Sequence, residues 1–233
     1  MDAIETYKHA GLTIEIHADD SPECPREWDN AGKLVIYGRG NYVDANELGG
    51  TYFPTQDYSG WDELDKNVLA CFPGAELLPV FRYEHSGVVY NTTGFSAYDS
   101  AGWDWSRVGF ILCTRETMLS EWGKKIVTRK VREQARACMT SEIEAYSQWA
   151  NGEVYGYIIK DENGNDMEDE SESCWGFFGF DYCKSEAESI AASIAVKWFD
   201  PATVQARLDK AVSDAAAALR EAQEAAGQQR LTA

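Results

Sequence analysis

Positive charge is scarce in this chain of 233 residues, where 21 Lys and Arg stand against 39 Asp and Glu for a formal net charge of −18. A binder of bare nucleic acid needs clustered Lys and Arg to neutralise phosphates, so the balance argues against that class. Histidine is rarer still, at three residues, and none stands in a metal-ligating spacing such as HExxH. The GxSxG, P-loop and GxGxxG signatures are all missing, which removes the commonest nucleophile and phosphate-cradling motifs. The six cysteines show no CxxC spacing. Six reduced, partly buried thiols are the simplest reading, with a Cys174–Cys183 bridge as the alternative. No window approaches the roughly 18 apolar residues that a membrane span requires. Met1 to Thr6 carries neither a basic nor an apolar leader region, so the expected setting is a reducing cytoplasm.

What is present is core-forming material. Hydrophobic residues make up 44% of the chain and aromatics 12%, with eight Trp, enough to exclude a disordered polymer. The acidity is concentrated. Residues 1–100 carry a net −11 and residues 151–200 a net −9, flanking a net +2 over 101–150 and a neutral tail.

Hydrophobic periodicity supplies the elements. Leu12 to His17 alternates apolar and polar as a half-buried strand, and Lys33 to Tyr37 reads as its partner. Gly38 to Ser59 reads as a long loop, and Ser59-Gly60-Trp61-Asp62 as a capping box opening a helix to about Ala70. Leu77 to Tyr83 and Val88 to Thr92 predict a hairpin turning at His85-Ser86-Gly87. An aromatic loop, Phe95 to Trp105, then leads into a buried strand, Val108 to Cys113. Val131, Ala135, Cys138, Met139, Ile143, Tyr146 and Trp149 fall at helical spacing, predicting a helix from Thr128 to about Ala150. Glu153 to Lys160 and Cys174 to Phe178 predict a second hairpin. Ser185-Glu186-Ala187-Glu188 reads as a second capping box for a helix through Trp198, and Pro201 opens a last helix reaching about Gly227. Without regular βαβ alternation the class is α+β, a mixed or antiparallel sheet with packed helices and a C-terminal Ala-rich helix. The expected division is one globular domain over 1–199 and a helix with a short tail over 200–233. Leu208, Val212, Ala215, Leu219, Ala222 and Ala226 form a heptad-like seam on that helix, which either lies on the domain or dimerises.

The densest charge feature is the run Asp161, Glu162, Asp166, Glu168, Asp169, Glu170 and Glu172, placed on the hairpin connection. These seven are the candidate contacts for a basic protein partner, since long-range attraction raises on-rates. Asp161, Asn163 and Asn165 also have the odd-position spacing of a Ca²⁺ loop, but Gly164 sits one place too early for the EF-hand pattern. The alternative is a small-ligand or nucleotide-signal binding protein that uses the aromatic loop, through Phe95, Tyr98, Trp103 and Trp105. A third class, a carboxylate-held metal near Asp19, Asp20 and Glu23, would make the chain an enzyme. His17 could pair with one of those carboxylates. Cys183, just ahead of the predicted helix, is the one thiol a helix N-terminus could activate. The basic cluster Lys124, Lys125, Arg129, Lys130, Arg132 and Arg136 reads as internal pairing for the acidic segments. No catalytic residue, cofactor or metal is assigned, and the balance leans away from an enzyme.

Three strings together carry a resemblance: Arg26-Glu27-Trp28-Asp29-Asn30, Trp105-Ser106-Arg107-Val108-Gly109-Phe110-Ile111 and Ser173-Cys174-Trp175-Gly176-Phe177-Phe178-Gly179-Phe180-Asp181-Tyr182-Cys183. They resemble a family of acidic proteins encoded by bacteriophages and mobile elements, over roughly residues 10–190. The resemblance carries no activity, cofactor or site residue. What it implies is an accessory gene acting in the cytoplasm of an infected bacterium. The resulting expectation is an anti-defence inhibitor that binds a basic host protein, as a DNA mimic whose carboxylates stand in for phosphates. No direct nucleic-acid or membrane contact is expected, and the tail allows a homodimer.

Overall fold

A computed structural model describes residues 2–38, 48, 50–167 and 173–231, with side chains from 223 onward left out. In chain order the elements are β1 (Glu5–His9), β2 (Leu12–Ala18), β3 (Lys33–Ile36), α1 (Trp61–Cys71), β4 (Glu76–Glu84), β5 (Val88–Asn91), β6 (Trp105–Cys113), α2 (Arg115–Glu121), α3 (Arg129–Ala150), β7 (Val154–Lys160), β8 (Ser173–Phe178), α4 (Phe180–Trp198) and α5 (Pro201–Leu231). The fold is α+β. Two four-stranded sheets have the orders β1-β2-β7-β8 and β3-β6-β4-β5. Among the described residues no helix is long and apolar enough to cross a membrane.

The chain forms two compact units. One comprises Met1–His17, Gly156–Trp175 and Asp181–Ala233, the other Ala18–Tyr155 and Gly176–Phe180. In the first, β1 and β2 pair antiparallel through a turn at Ala10 and Gly11, whose positive φ values of 49° and 85° suit a tight hairpin. Leu12, Ile14 and Ile16 of β2 are fully buried. Cys183, Ala187 and Ala191 are equally buried at a spacing of four, giving α4 one apolar stripe. Lys184 joins α4 to β1, through Glu5 at 2.7 Å and over the Tyr7 ring at 4.5 Å.

The second unit is a sheet covered on both faces. Leu34, Ile36, Val80 and Ile111 meet Val131, Ala135, Met139 and Ile143 of α3 on one face. Val35, Phe110 and Leu112 meet Leu64 and Val68 of α1 on the other. Burying a side chain of this size stabilises by about 1.5–3 kcal/mol. The β4–β6 ladder shifts register between Val80 and Phe81, which pair with Gly109 and Arg107, so Val108 bulges out. Such a bulge re-aims the neighbouring side chain, here Arg107. The Val108 carbonyl is still satisfied, accepting from the Tyr37 amide at 2.8 Å.

Several local expectations change. Lys33–Ile36 pairs with β6, not with Leu12–Ala18; the polar string Glu5–His9 takes the latter place because the Ala10-Gly11 turn delivers it. Gly60, not Ser59, occupies the N-cap of α1 with no side-chain cap. Ser59 instead donates through its amide and hydroxyl to Glu63, both at 2.7 Å. The helix α4 begins at Phe180, so Ser185 lies within it and cannot cap it. The last helix keeps its predicted start, with Asp200 accepting from the Ala202 amide at 3.0 Å. Its seam residues Leu208, Val212 and Leu219 are exposed, and Ala226 lies outside the described side chains.

At Gly109 a Cβ would overlap the Val35 carbonyl oxygen, which belongs to backbone and cannot swing aside. Gly109→Ala is therefore expected to destabilise the protein by about 1–3 kcal/mol, read as a lowered denaturant midpoint with an unchanged slope.

Candidate functional site

Of the seven predicted partner contacts, Asp161, Glu162 and Asp166 fall among the described residues, and Glu168, Asp169, Glu170 and Glu172 lie outside them. Asp161 is engaged locally: Oδ1 accepts from the amides of Asn163 and Asn165 at 2.8 Å each, and Oδ2 from the Asn165 side chain at 3.1 Å. Burial opposes the charge, but these amide donors outweigh it and hold the carboxyl below its ordinary value. The Asp161–Asn165 spacing thus closes a turn on itself. Glu162 accepts from the Trp198 indole at 2.8 Å and faces Arg207 at 3.8 Å. Only Asp166 of the three is strongly exposed, with 86% of its side chain accessible.

A second acidic ribbon is better placed. Asp20, Glu23, Glu27 and Asp29 are all exposed. The one base among them, Arg26, turns inward with 1% of its side chain accessible and meets Glu142 of α3 at 3.0 Å. Glu142 also accepts from the amides of Ala31 at 2.9 Å and Gly32 at 3.1 Å. The Trp149 indole donates to the Pro22 carbonyl at 3.2 Å. The ribbon is therefore pinned to α3 from two points while its carboxylates face outward.

The predicted basic cluster divides. Arg132 and Arg136 both bind Glu76 of β4, Arg136 at 2.7 Å. Burial alone would raise the Glu76 carboxyl, yet the two guanidiniums outweigh it and hold it low. Arg129 pairs within its own helix with Glu133.

The aromatic loop has two layers. Phe95 is buried and Trp105 half-buried, with ring centroids 6.3 Å apart, and the Trp105 indole donates to the Asp99 carbonyl at 2.8 Å. Tyr98 and Trp103 point outward at 86% and 88% exposure. The Asp99 carboxylate organises the turn, accepting from the amides of Ala101, Gly102, Trp103 and Asp104 at 2.7–3.1 Å.

Sequence reasoning missed a cleft of about 490 Å³ beside α1, walled by Tyr37, Trp61, Arg82, Ser106 and Arg107. Asp65 binds Arg107 bidentately at 2.6 and 2.9 Å. The guanidinium lies 4.6 Å from the Trp61 ring centre and donates to the Gly109 carbonyl at 3.1 Å. Tyr37 donates to the Phe53 carbonyl at 2.6 Å, and burial, reinforced by nearby Tyr52 and Tyr58, pushes its hydroxyl well above the usual range. A second concavity of about 380 Å³ shares Arg82 and Ser106 with it and is bounded by Trp103 and Asp104.

The remaining catalytic candidates find no support. His17 is buried and meets Glu15 at 3.4 Å, not the carboxylates that follow it. Among the described residues no three His, Cys, Asp or Glu side chains converge as a metal site. Cys183 sits inside α4, and burial pushes its thiol up to about 11, the opposite of an activated nucleophile. Comparison with protein-family models, curated proteins and solved structures finds no match.

Asp99 is held below the ordinary carboxylate value chiefly by the Asp104 amide. A depressed folded pKa gives an ordering contribution that is complete above about 3.9 and lost as pH falls through the folded value. Acid is thus expected to loosen residues 99–104 within that window. At neutral pH, Asp99→Ala should speed amide exchange at Ala101 to Asp104 while leaving α3 protected; unchanged exchange would contradict the role given to this carboxylate.

Proposed function

We propose that this protein is an accessory factor encoded by a bacteriophage or mobile element, which binds and inhibits a basic host protein of defence or nucleic-acid handling. The observation that carries this reading is the ribbon of Asp20, Glu23, Glu27 and Asp29, whose intervening cation, Arg26, is withdrawn to Glu142. Carboxylates presented without interspersed cations on a pinned backbone can stand in for phosphates, and they attract a basic groove over a Debye length of about 8–10 Å. The segment around Asp166 to Glu172 adds a second acidic stretch in the other unit. A phage origin and action in the host cytoplasm rest on the three resembling strings.

Asp161 and Glu162 hold local structure, so they stay native in the test. Tagged protein is incubated with nuclease-treated bacterial lysate beside two baits, one with Asp20, Glu23, Glu27 and Asp29 neutralised to amides and one with Asp166, Glu168, Asp169, Glu170 and Glu172 so changed. The expected result is salt-sensitive retention of a nucleic-acid-binding protein by the native bait, weakened in the first variant and in the second. Equal retention by all three would overturn the proposal.

A further inference from the structure

The cleft beside α1 combines aromatic walls with cations in a chain where cations are scarce. Its volume of about 490 Å³ lies within the 300–1,000 Å³ range of small-molecule sites. Tyr37 and Trp61 stand 5.9 Å apart between ring centres. Arg107 is fully committed to holding that wall: Asp65 grips both terminal nitrogens, and the guanidinium lies against the Trp61 ring. Preorganisation of this kind lowers the ordering cost of a ligand.

Arg82 is differently placed. It comes from β4, is 26% exposed, and meets Glu84 at a long 3.4 Å, while Glu84 itself is 63% exposed. Glu84 engages one terminal nitrogen, and among the described residues the guanidinium has no further partner, so its other N–H donors border the two concavities that it lines together with Ser106. A guanidinium beside a hydroxyl is a phosphate-binding pair. Beside the cleft, Asp65 has both oxygens occupied by Arg107, and the carboxylates of Glu84 and Asp104 border the second concavity.

From these placements we infer that the cleft binds a nucleoside monophosphate, its base against Tyr37 and Trp61 and its phosphate on Arg82 and Ser106. A planar ring and a single anion match one aromatic wall and one guanidinium whose pairing among the described residues is the long contact to Glu84. The bulge at Val108 aims Arg107 at Trp61, which makes this wall a consequence of the fold.

The test uses the purified full-length chain with the four 5′-ribonucleoside monophosphates as probes, read by tryptophan fluorescence and by ligand-observed magnetic resonance. The parent nucleosides and inorganic phosphate form the other arms. At least one monophosphate is expected to saturate, and to bind about tenfold or more tighter than its nucleoside or than phosphate. Arg82→Gln should lose about tenfold or more of that affinity with an unchanged melting temperature. A magnetisation transfer from the base protons to Trp61 locates the ring without any substitution. Saturation by none of the four at millimolar concentration, full affinity in Arg82→Gln, or phosphate binding as tightly as the nucleotide would overturn the inference. No host protein takes part, so the outcome is independent of the acidic-surface proposal.

Discussion

Arginine–carboxylate pairing between layers is the interaction on which the second unit depends. Arg26 and Glu142 join the connection after β2 to α3, Asp65 and Arg107 join α1 to β6, and Glu76 joins β4 to α3 through Arg132 and Arg136. The last two bridge the sheet and a helix that covers it, and the first ties a connection to α3. The Arg26–Glu142 pair is buried: such a pair adds little net stability over apolar packing, but removing one partner strands a charge at a cost of about 3–5 kcal/mol. Solvent, by contrast, screens the more exposed Arg132 and Arg136. Arg26 and Arg107 are drawn away from the surface by their pairs, at 1% and 12% side-chain exposure, each together with one carboxylate.

How much of this was legible in the sequence follows from the range of the interactions. Local periodicity marked Leu12–Ala18, the β4–β5 hairpin and α3, because their buried positions recur at two or at three to four residues. Pro201 and Asp200 marked the start of α5 for the same local reason. Strand pairing was less visible. Glu5–His9 is polar at most positions, and only the Ala10-Gly11 turn signalled that it returns along β2. The start of α4 was hidden because Ser185 and Glu188 imitate a cap, while the stripe of Ala187 and Ala191 reaches upstream of it only through Cys183. The cleft was invisible, since Tyr37 just after β3, Trp61 of α1, Arg82 of β4 and Arg107 of β6 are distant in sequence and meet only in the fold. Conversely, the acidic run that drew attention by density turns out to use Asp161 and Glu162 locally, whereas the sparser 20–29 ribbon is the one cleared of its base.

The two proposed surfaces obey opposite electrostatics. As proposed, the ribbon acts through accumulated negative charge on a basic partner, an attraction that salt screens. The cleft is locally balanced, with Asp65 and Glu84 set against Arg107 and Arg82, so the binding inferred for it rests on directional hydrogen bonds and ring contacts and not on net charge. The Asp99-ordered loop lies beside it, and Trp103 bounds the neighbouring concavity.

The central claim is that the carboxylates occupy the site where a host protein holds nucleic acid, and competition measures it most directly. A captured partner is loaded with fluorescent duplex DNA, and this protein is titrated in while anisotropy and complex mass are followed. The account predicts that DNA leaves as the protein binds, one molecule for one site, with competition weakening as salt rises. A stable ternary complex of partner, DNA and this protein would contradict it.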